Sequence, residues 1–174
     1  MALALRSGDK LRLAVADGLG HGVVAREAAQ RAIQSLRTDV NLGLQESLLR
    51  AHEHLAATRG ATLGLVDIDL TTQILSGTTV GNVRVVLFFG AGRSWSPCGT
   101  DAVLGHGRGG LHGRLEVRIE QHPFPAGGIL CLFSDGLVNQ LRLPWQRGDL
   151  DETAVQLFQT FSVATDDATL LLLG

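Results

Sequence analysis

Ala14-Val15-Ala16-Asp17-Gly18-Leu19-Gly20-His21-Gly22 decides the reading of this chain. A short apolar strand ends in Asp-Gly, passes through a glycine-rich turn and opens into a helix. That arrangement holds a carboxylate on a rigid element at the mouth of a sheet. It returns at Ile129-Leu130-Cys131-Leu132-Phe133-Ser134-Asp135-Gly136-Leu137. It comes a third time in reverse, where Asp166-Asp167 precede Ala168-Thr169-Leu170-Leu171-Leu172-Leu173. Three carboxylate stations at strand ends, with little basic charge beside them, suit a hard divalent cation with oxygen ligands. Asp-Gly is also an ordinary turn dipeptide, so spacing alone leaves a cation site and three plain turn aspartates both open.

Outward from that stretch, Leu3–Arg6 and Leu11–Ala16 are expected to form a hairpin around Ser7-Gly8-Asp9-Lys10, with Asp9 a turn carboxylate. From Gly22 the apolar period becomes 3.6. Val24, Ala28, Ala32 and Leu36 make one row and Ala29 and Ile33 the next, which predicts a helix on a sheet. Thr38-Asp39 ends it, Asn41 is the expected cap of a second helix, and Leu44, Leu48 and Leu55 face inward there. Glu46 and Arg50 form an outward i,i+4 pair. Val66, Ile68 and Leu70 alternate with Asp67 and Asp69, which predicts a strand with one wet face and assigns those two carboxylates no chemistry. Gln73–Val80 returns as a hairpin, and Val83–Phe88 follows Gly81-Asn82. Residues 90–113 are a glycine-rich loop, either a flap over substrate or a surface excursion. Leu115–Glu120 alternates as an edge or half-buried strand. Ile129–Phe133 and Ala168–Leu173 lack alternation and are expected to be buried on both faces. Asp151–Phe161 is helical, with Ala154, Leu157, Phe158 and Phe161 inward. The sum is an α+β sandwich.

The 174 residues suit a single domain over 1–174. Hydrophobic residues are 45% and charged residues 18%, so the chain is globular. A net charge of −2 gives no reason to expect a nucleic-acid or membrane partner. No apolar run approaches the ~20 residues of a membrane span. The two cysteines, Cys98 and Cys131, lack metal-ligand spacing. A cytoplasmic monomer is the default expectation.

Taken together, Val15–Gly22, Arg59-Gly60-Ala61-Thr62, Val80-Gly81-Asn82-Val83-Arg84, Phe133–Leu137 and Asp166–Leu170 resemble the metal-dependent type 2C protein Ser/Thr phosphatases. The likeness is to the bacterial sporulation-and-stress branch and its small stressosome phosphatases, in order and spacing across nearly the whole chain. The resemblance implies a four-layer αββα sandwich of two antiparallel sheets flanked by helices. It implies a centre of two Mn²⁺ or Mg²⁺ ions, with Asp17 bridging them, the Gly18 carbonyl on the second, and Asp135 and Asp166 on the first. Water activated there would be the nucleophile, with no covalent phosphoenzyme. Asp167 would be a supporting residue. His21 is either a general acid for the leaving oxygen or structural. The implied substrates are phosphorylated STAS-domain stressosome proteins, RsbS- and RsbR-like, whose dephosphorylation resets stress signalling. The family's Gly-Asp pair upstream of the hairpin has no match, since Gly8-Asp9 falls in the hairpin turn. That departure motivates a second possibility: a catalytically impaired module of the same fold that binds a phosphorylated partner without turnover. Asn82, where eukaryotic relatives place an Asp, makes a third ion unexpected.

Overall fold

The computed structural model describes residues 1–38, 41–90, 92–106, 115–137, 149–163 and 167–174. In chain order the elements begin with β1 (Ala2–Ser7), β2 (Lys10–Gly18), α1 (Gly22–Thr38), α2 (Leu44–His54), β3 (Ala61–Asp69) and β4 (Ile74–Val80). There follow β5 (Arg84–Phe89), β6 (Arg93–Trp95), β7 (Gly99–Thr100), β8 (Glu120–Pro123), β9 (Ile129–Phe133), α3 (Leu150–Phe161) and β10 (Leu170–Leu173). One sheet runs β1-β2-β3-β4-β7, with β8 also on β4; the other runs β10-β9-β5-β6. Every pairing is antiparallel except the short β4–β7 contact, where a two-residue strand lies parallel.

Side-chain alternation along the strands builds three apolar layers. Ala14 and Ala16 of β2 and Leu63 and Leu65 of β3 pack against Ala28, Ala32 and Leu36 of α1 and Leu48 of α2. The opposite faces of the same strands, through Leu13, Val15, Val66 and Ile68, meet Val85, Leu130 and Leu132 of the second sheet. Cys131 and Phe133, on the outer face of β9, then meet Leu157 of α3. The result is the expected αββα stack, with β9 buried on both faces. Burial of this kind contributes roughly 1.5–3 kcal/mol for each large apolar side chain. The alanines of α1 let its backbone lie close to the sheet.

Several local expectations are corrected. Val24 is 48% exposed, and the buried row of α1 begins at Ala25. The residue preceding α2 is Gly43 with no side-chain cap, so Asn41 does not cap it. Leu70 sits beyond β3 in the turn and is an exposed apolar residue. Leu115–Glu120 keeps its alternation, with Leu115 buried and Val117 and Ile119 on the first layer, yet pairing starts only at Glu120. There β8 takes the edge of β4, with Glu120 opposite Gly77. β10 is half-buried, because it is an edge strand with β9 on one side only. The glycine-rich 90–113 stretch is no bare loop: it carries β6 and β7, and Leu104 is fully buried and bridges Ala61. Residues 107–114 lie outside the described part.

The wet face assigned to β3 is the largest correction. Every residue of β3 but Asp69 is buried, because helices cover the face that alternation left to solvent. Asp67 lies under α2, where Arg12 Nε donates to its Oδ1 at 2.7 Å and Arg12 Nη2 to its Oδ2 at 2.8 Å. Lys10 Nζ adds an ion pair at 3.2 Å. The remaining Arg12 donors reach Ser47 Oγ at 2.9 Å and the Leu42 carbonyl at 2.8 Å. Buried charges persist when both partners are present and their donors are satisfied. Asp69 is the exposed member of the pair, accepting from the Thr71 and Thr72 amides at 2.9 and 2.8 Å. Asp67 is thus held in a buried ion pair and Asp69 in a turn.

Candidate metal centre

The ends of the two sheets meet where β2 finishes. Asp17 pairs across the ladder with Thr62 and Gly18 with Ala61, so the carboxylate stands on a strand tied down along its length. By alternation with Leu13 and Val15, it belongs to the face turned toward the second sheet. Asp135 follows β9 in that second sheet. Ser134 is buried, its amide donating to the Thr169 carbonyl at 3.1 Å, while its Oγ accepts from the Thr169 amide at 3.0 Å. Those bonds tie the Asp135-Gly136 corner to the approach to β10.

Asp17 and Asp135 line one cavity of about 320 Å³, together with Gly18, Gly20, Thr62 and Asn82. The Asn82 amide donates to Asp135 Oδ2, which fixes the orientation of that carboxylate. Thr62 is 7% exposed, and its Oγ1 has no hydrogen-bond partner among the described residues. A buried hydroxyl without a partner is costly and rare. Its place in a cavity walled by two carboxylates marks that cavity as built for a polar occupant.

A second cavity of about 510 Å³ shares the Asp17, Gly18 and Gly20 wall. His21 lines this one, with Arg26, Asp167 and Thr169, and does not line the cavity that holds Asp135. His21 is solvent-exposed. Asp166 lies outside the described residues, so of the three carboxylates expected to share a site, Asp17 and Asp135 are seen together. Among the described residues no three His, Cys, Asp or Glu side chains come close enough to hold a metal.

The glycines after each Asp have a steric origin. A Cβ on Gly18 would stand 1.8 Å from the Ala25 carbonyl oxygen of α1, and one on Gly136 would stand 2.4 Å from the Asp167 carbonyl oxygen. Close packing accounts for Gly18, since its φ is not positive. At Gly20 the backbone does require glycine, with φ of +90°.

The donors present are hard oxygens: two carboxylates, a strand-end carbonyl and a hydroxyl. This set fits a magnesium- or manganese-class cation and not a soft-metal site, which would call for thiolate. The exposed Cys98 and buried Cys131 are elsewhere in the chain, and burial pushes the Cys131 thiol up to about 12. Thr62 and Asn82 are the site residues to which sequence reasoning gave no role at this cavity. The signal available for Thr62 was register: once β2 ends at Asp17-Gly18 and β3 starts at Ala61, Thr62 must face Asp17.

Comparison with known proteins agrees with this geometry. The model of the stage II sporulation protein E (SpoIIE) family matches residues 7–174. The phosphoserine phosphatase RsbX of Bacillus subtilis (strain 168) is 24% identical over 173 residues, 98% of this chain and 83% of that protein. A structure from work on the bacterial stressosome as a modular system adapted to control secondary messenger signalling superposes with a TM-score of 0.86. It is 26% identical, over 99% of this chain and 88% of that one. The structure of RsbX in complex with magnesium superposes with a TM-score of 0.84 at 23% identity, covering 99% and 84% of the two chains. The chain belongs to the SpoIIE family of type 2C protein serine/threonine phosphatases.

Proposed function

We propose that this chain is a metal-dependent phosphoserine/phosphothreonine protein phosphatase of the RsbX type, acting on phosphorylated STAS-domain stressosome proteins to reset stress signalling. It would work as a cytoplasmic monomer; no helix among the described residues is long and apolar enough to cross a membrane. The observation that carries the reading is the 320 Å³ cavity where Asp17 and Asp135, from different sheets, face a common space with the unpartnered Thr62 hydroxyl. Asp17, the Gly18 carbonyl, Asp135 and Asp166 are the residues that would hold Mn²⁺ or Mg²⁺, two ions in all. A divalent cation there supplies Lewis-acid charge to phosphoryl oxygens and lowers the pKa of water.

The chain's own contribution is placement. The β2–β3 ladder keeps Asp17 from swinging, and the Asn82 amide keeps Asp135 turned. A phosphate ester would approach at the carboxylate end of the sandwich, where the cavity lies. His21, in the adjoining cavity, is the candidate to protonate the leaving oxygen. Similarity to a phosphoserine phosphatase over 98% of the chain supports the substrate class.

The test is phosphate release from a phosphorylated STAS-domain protein, with manganese titrated in and a chelator as control. Manganese-dependent release that disappears in Asp17→Asn is the expected result. A folded protein that binds the STAS domain yet releases no phosphate at any manganese concentration would overturn the enzyme in favour of a non-hydrolysing binding module.

A further inference from the structure

We propose that the exposed valines at the start of α1 are the dock for an apolar residue that the substrate protein carries close to its phosphorylated side chain. The proposal rests on the phosphatase reading above and adds what the enzyme recognises around the phosphate. Periodicity puts Val24 on the inner row of α1, yet Val23 and Val24 both face water. Val23 is 82% exposed, more than any other large apolar residue among those described. The fold gains little from the pair, since the buried face of the helix begins at Ala25 and β-branched residues are not strong helix formers. A single exposed valine is ordinary on a protein surface. Position sets this pair apart. Val23 lines the 510 Å³ cavity, with the part-exposed Met1 as a second apolar wall, and Val24 extends the apolar surface around the helix. That cavity shares Asp17, Gly18 and Gly20 with the one that holds Asp135. Leu70, Val155 and Val163, the other exposed large apolar residues described, line neither.

What covers the pair follows from that continuity. A phosphoserine whose phosphate sits between Asp17 and Asp135 belongs to a polypeptide, and that polypeptide has to leave across the rim. Extended backbone advances about 3.3 Å per residue, so neighbours within about three positions of the phosphoserine reach about 10 Å from it. That is the scale of a round cavity of 510 Å³. The rim does not repel a phosphorylated chain, because the first turn of α1 holds no acidic side chain and Arg26 lines the same cavity. Valine offers a partner no hydrogen bond, so this rim favours a chain that brings an apolar side chain beside its phosphate. A second copy of this chain is the rival occupant.

Two phosphoserine peptides test this on the manganese-loaded protein. They are alike except that one carries leucine and the other serine at the three positions on either side of the phosphoserine. Wild type is expected to favour the leucine peptide about tenfold or more in kcat/KM, chiefly through KM. In Val23→Ser combined with Val24→Ser that preference should fall to near one, with an unchanged melting temperature. Val155→Ser, at an exposed valine of α3, should keep the wild-type preference. Phosphate release with no leucine preference in wild type, or with the same preference in the double variant, would overturn the dock alone. A readout that needs no turnover is benzoylphenylalanine placed at position 23 and irradiated with the phosphorylated STAS-domain protein. The expected crosslink falls in the segment of that protein that contains its phosphorylated residue. A crosslink to a second copy of this chain, or none, would overturn the dock. A wild type that releases phosphate from neither peptide nor the STAS-domain protein, while position 23 still crosslinks beside the phosphorylated residue, would defeat the enzymatic reading alone.

Discussion

Strands β2 and β3 carry two carboxylate stations that the fold treats in opposite ways. Five positions before Asp17 on β2, Arg12 stands opposite Asp67 of β3; at the strand end, Asp17 itself stands opposite Thr62. The first station faces the helices, is closed off by α2, and matches its carboxylate with two cations and a serine hydroxyl on Arg12. The second faces the other sheet, opens on two cavities, and has beside it a buried hydroxyl without a partner among the described residues. The same ladder therefore supports a closed ion pair at one place and a carboxylate at an open cavity at the other. Charge by itself does not distinguish them. What does is the surroundings, closed off by α2 at Asp67 and open to cavities at Asp17.

That contrast is broken or upheld most directly by removing one carboxylate from each station. Asp17→Asn should lower phosphatase turnover by about 10³ or more, the scale of losing a main source of transition-state charge stabilisation, with little change in melting temperature. Asp67→Ala should do the reverse. It strands Arg12, which is fully buried, and should cost about 3–5 kcal/mol, or roughly 10 °C in melting temperature for a chain of this size. Turnover per folded molecule should remain. Replacing the pair together, Arg12→Met with Asp67→Leu, should recover most of that stability, since a buried pair is often no better than packed apolar side chains. If Asp67→Ala stayed folded and lost activity, the two stations would not be separate, and the division drawn between them would fail.

Gly18→Ala asks how far the Asp17 station depends on its packing. The added Cβ would fall 1.8 Å from the Ala25 carbonyl oxygen, a backbone atom that can move only with α1. Overpacking of this kind costs about 1–3 kcal/mol, occasionally more, and here it pushes the helix away from the strand that bears Asp17. Thermal melts should show the loss, and turnover should fall beyond what the unfolded fraction explains. Gly8→Ala is the comparison, because nothing lies within 4 Å of its Cβ position, although its φ of +58° adds modest strain. Equal effects at both glycines would mean that the close approach at Gly18 contributes nothing.

The sequence reveals the Asp17 station better than the Asp67 one, and the reason is physical. Asp17 and Asp135 sit in local signatures, an apolar strand run into Asp-Gly, so a few neighbouring residues suffice to find them. Asp67 depends on Arg12, which is 55 positions away, and on helices that cover the strand face. Alternation reads only the strand itself, and it assigned a wet face where a buried ion pair lies. The layers, the order of the elements and the doubly buried β9 follow from periodicity, because large apolar side chains dominate those segments. Element ends are set by finer competition. Gly43 precedes α2 although Asn41 has the better capping chemistry, and pairing of β8 begins at Glu120 although alternation begins at Leu115. Thr62 belongs to the motif that carries the family likeness, yet its placement at the cavity wall required the fold.

Asp69 offers the finest test, because it shares β3 with Asp67 and differs only in its surroundings. The Thr72 amide, and then that of Thr71, bond its carboxylate and hold its pKa below the ordinary Asp value, despite full exposure. A depressed folded-state pKa means that the contribution is present above the unfolded-state pKa and lost as pH falls through the folded-state pKa. Asp69→Asn should therefore lower the urea midpoint slightly near neutral pH. The gap from wild type should hold steady down to about pH 5 and close as the medium becomes more acid. A gap that stayed constant through the acid range would assign the effect to packing in the turn and not to the charge. A gap as large as that of Asp67→Ala would show that exposure does not separate the two aspartates of β3, and the contrast drawn from Arg12 would have to be rebuilt around the strand itself.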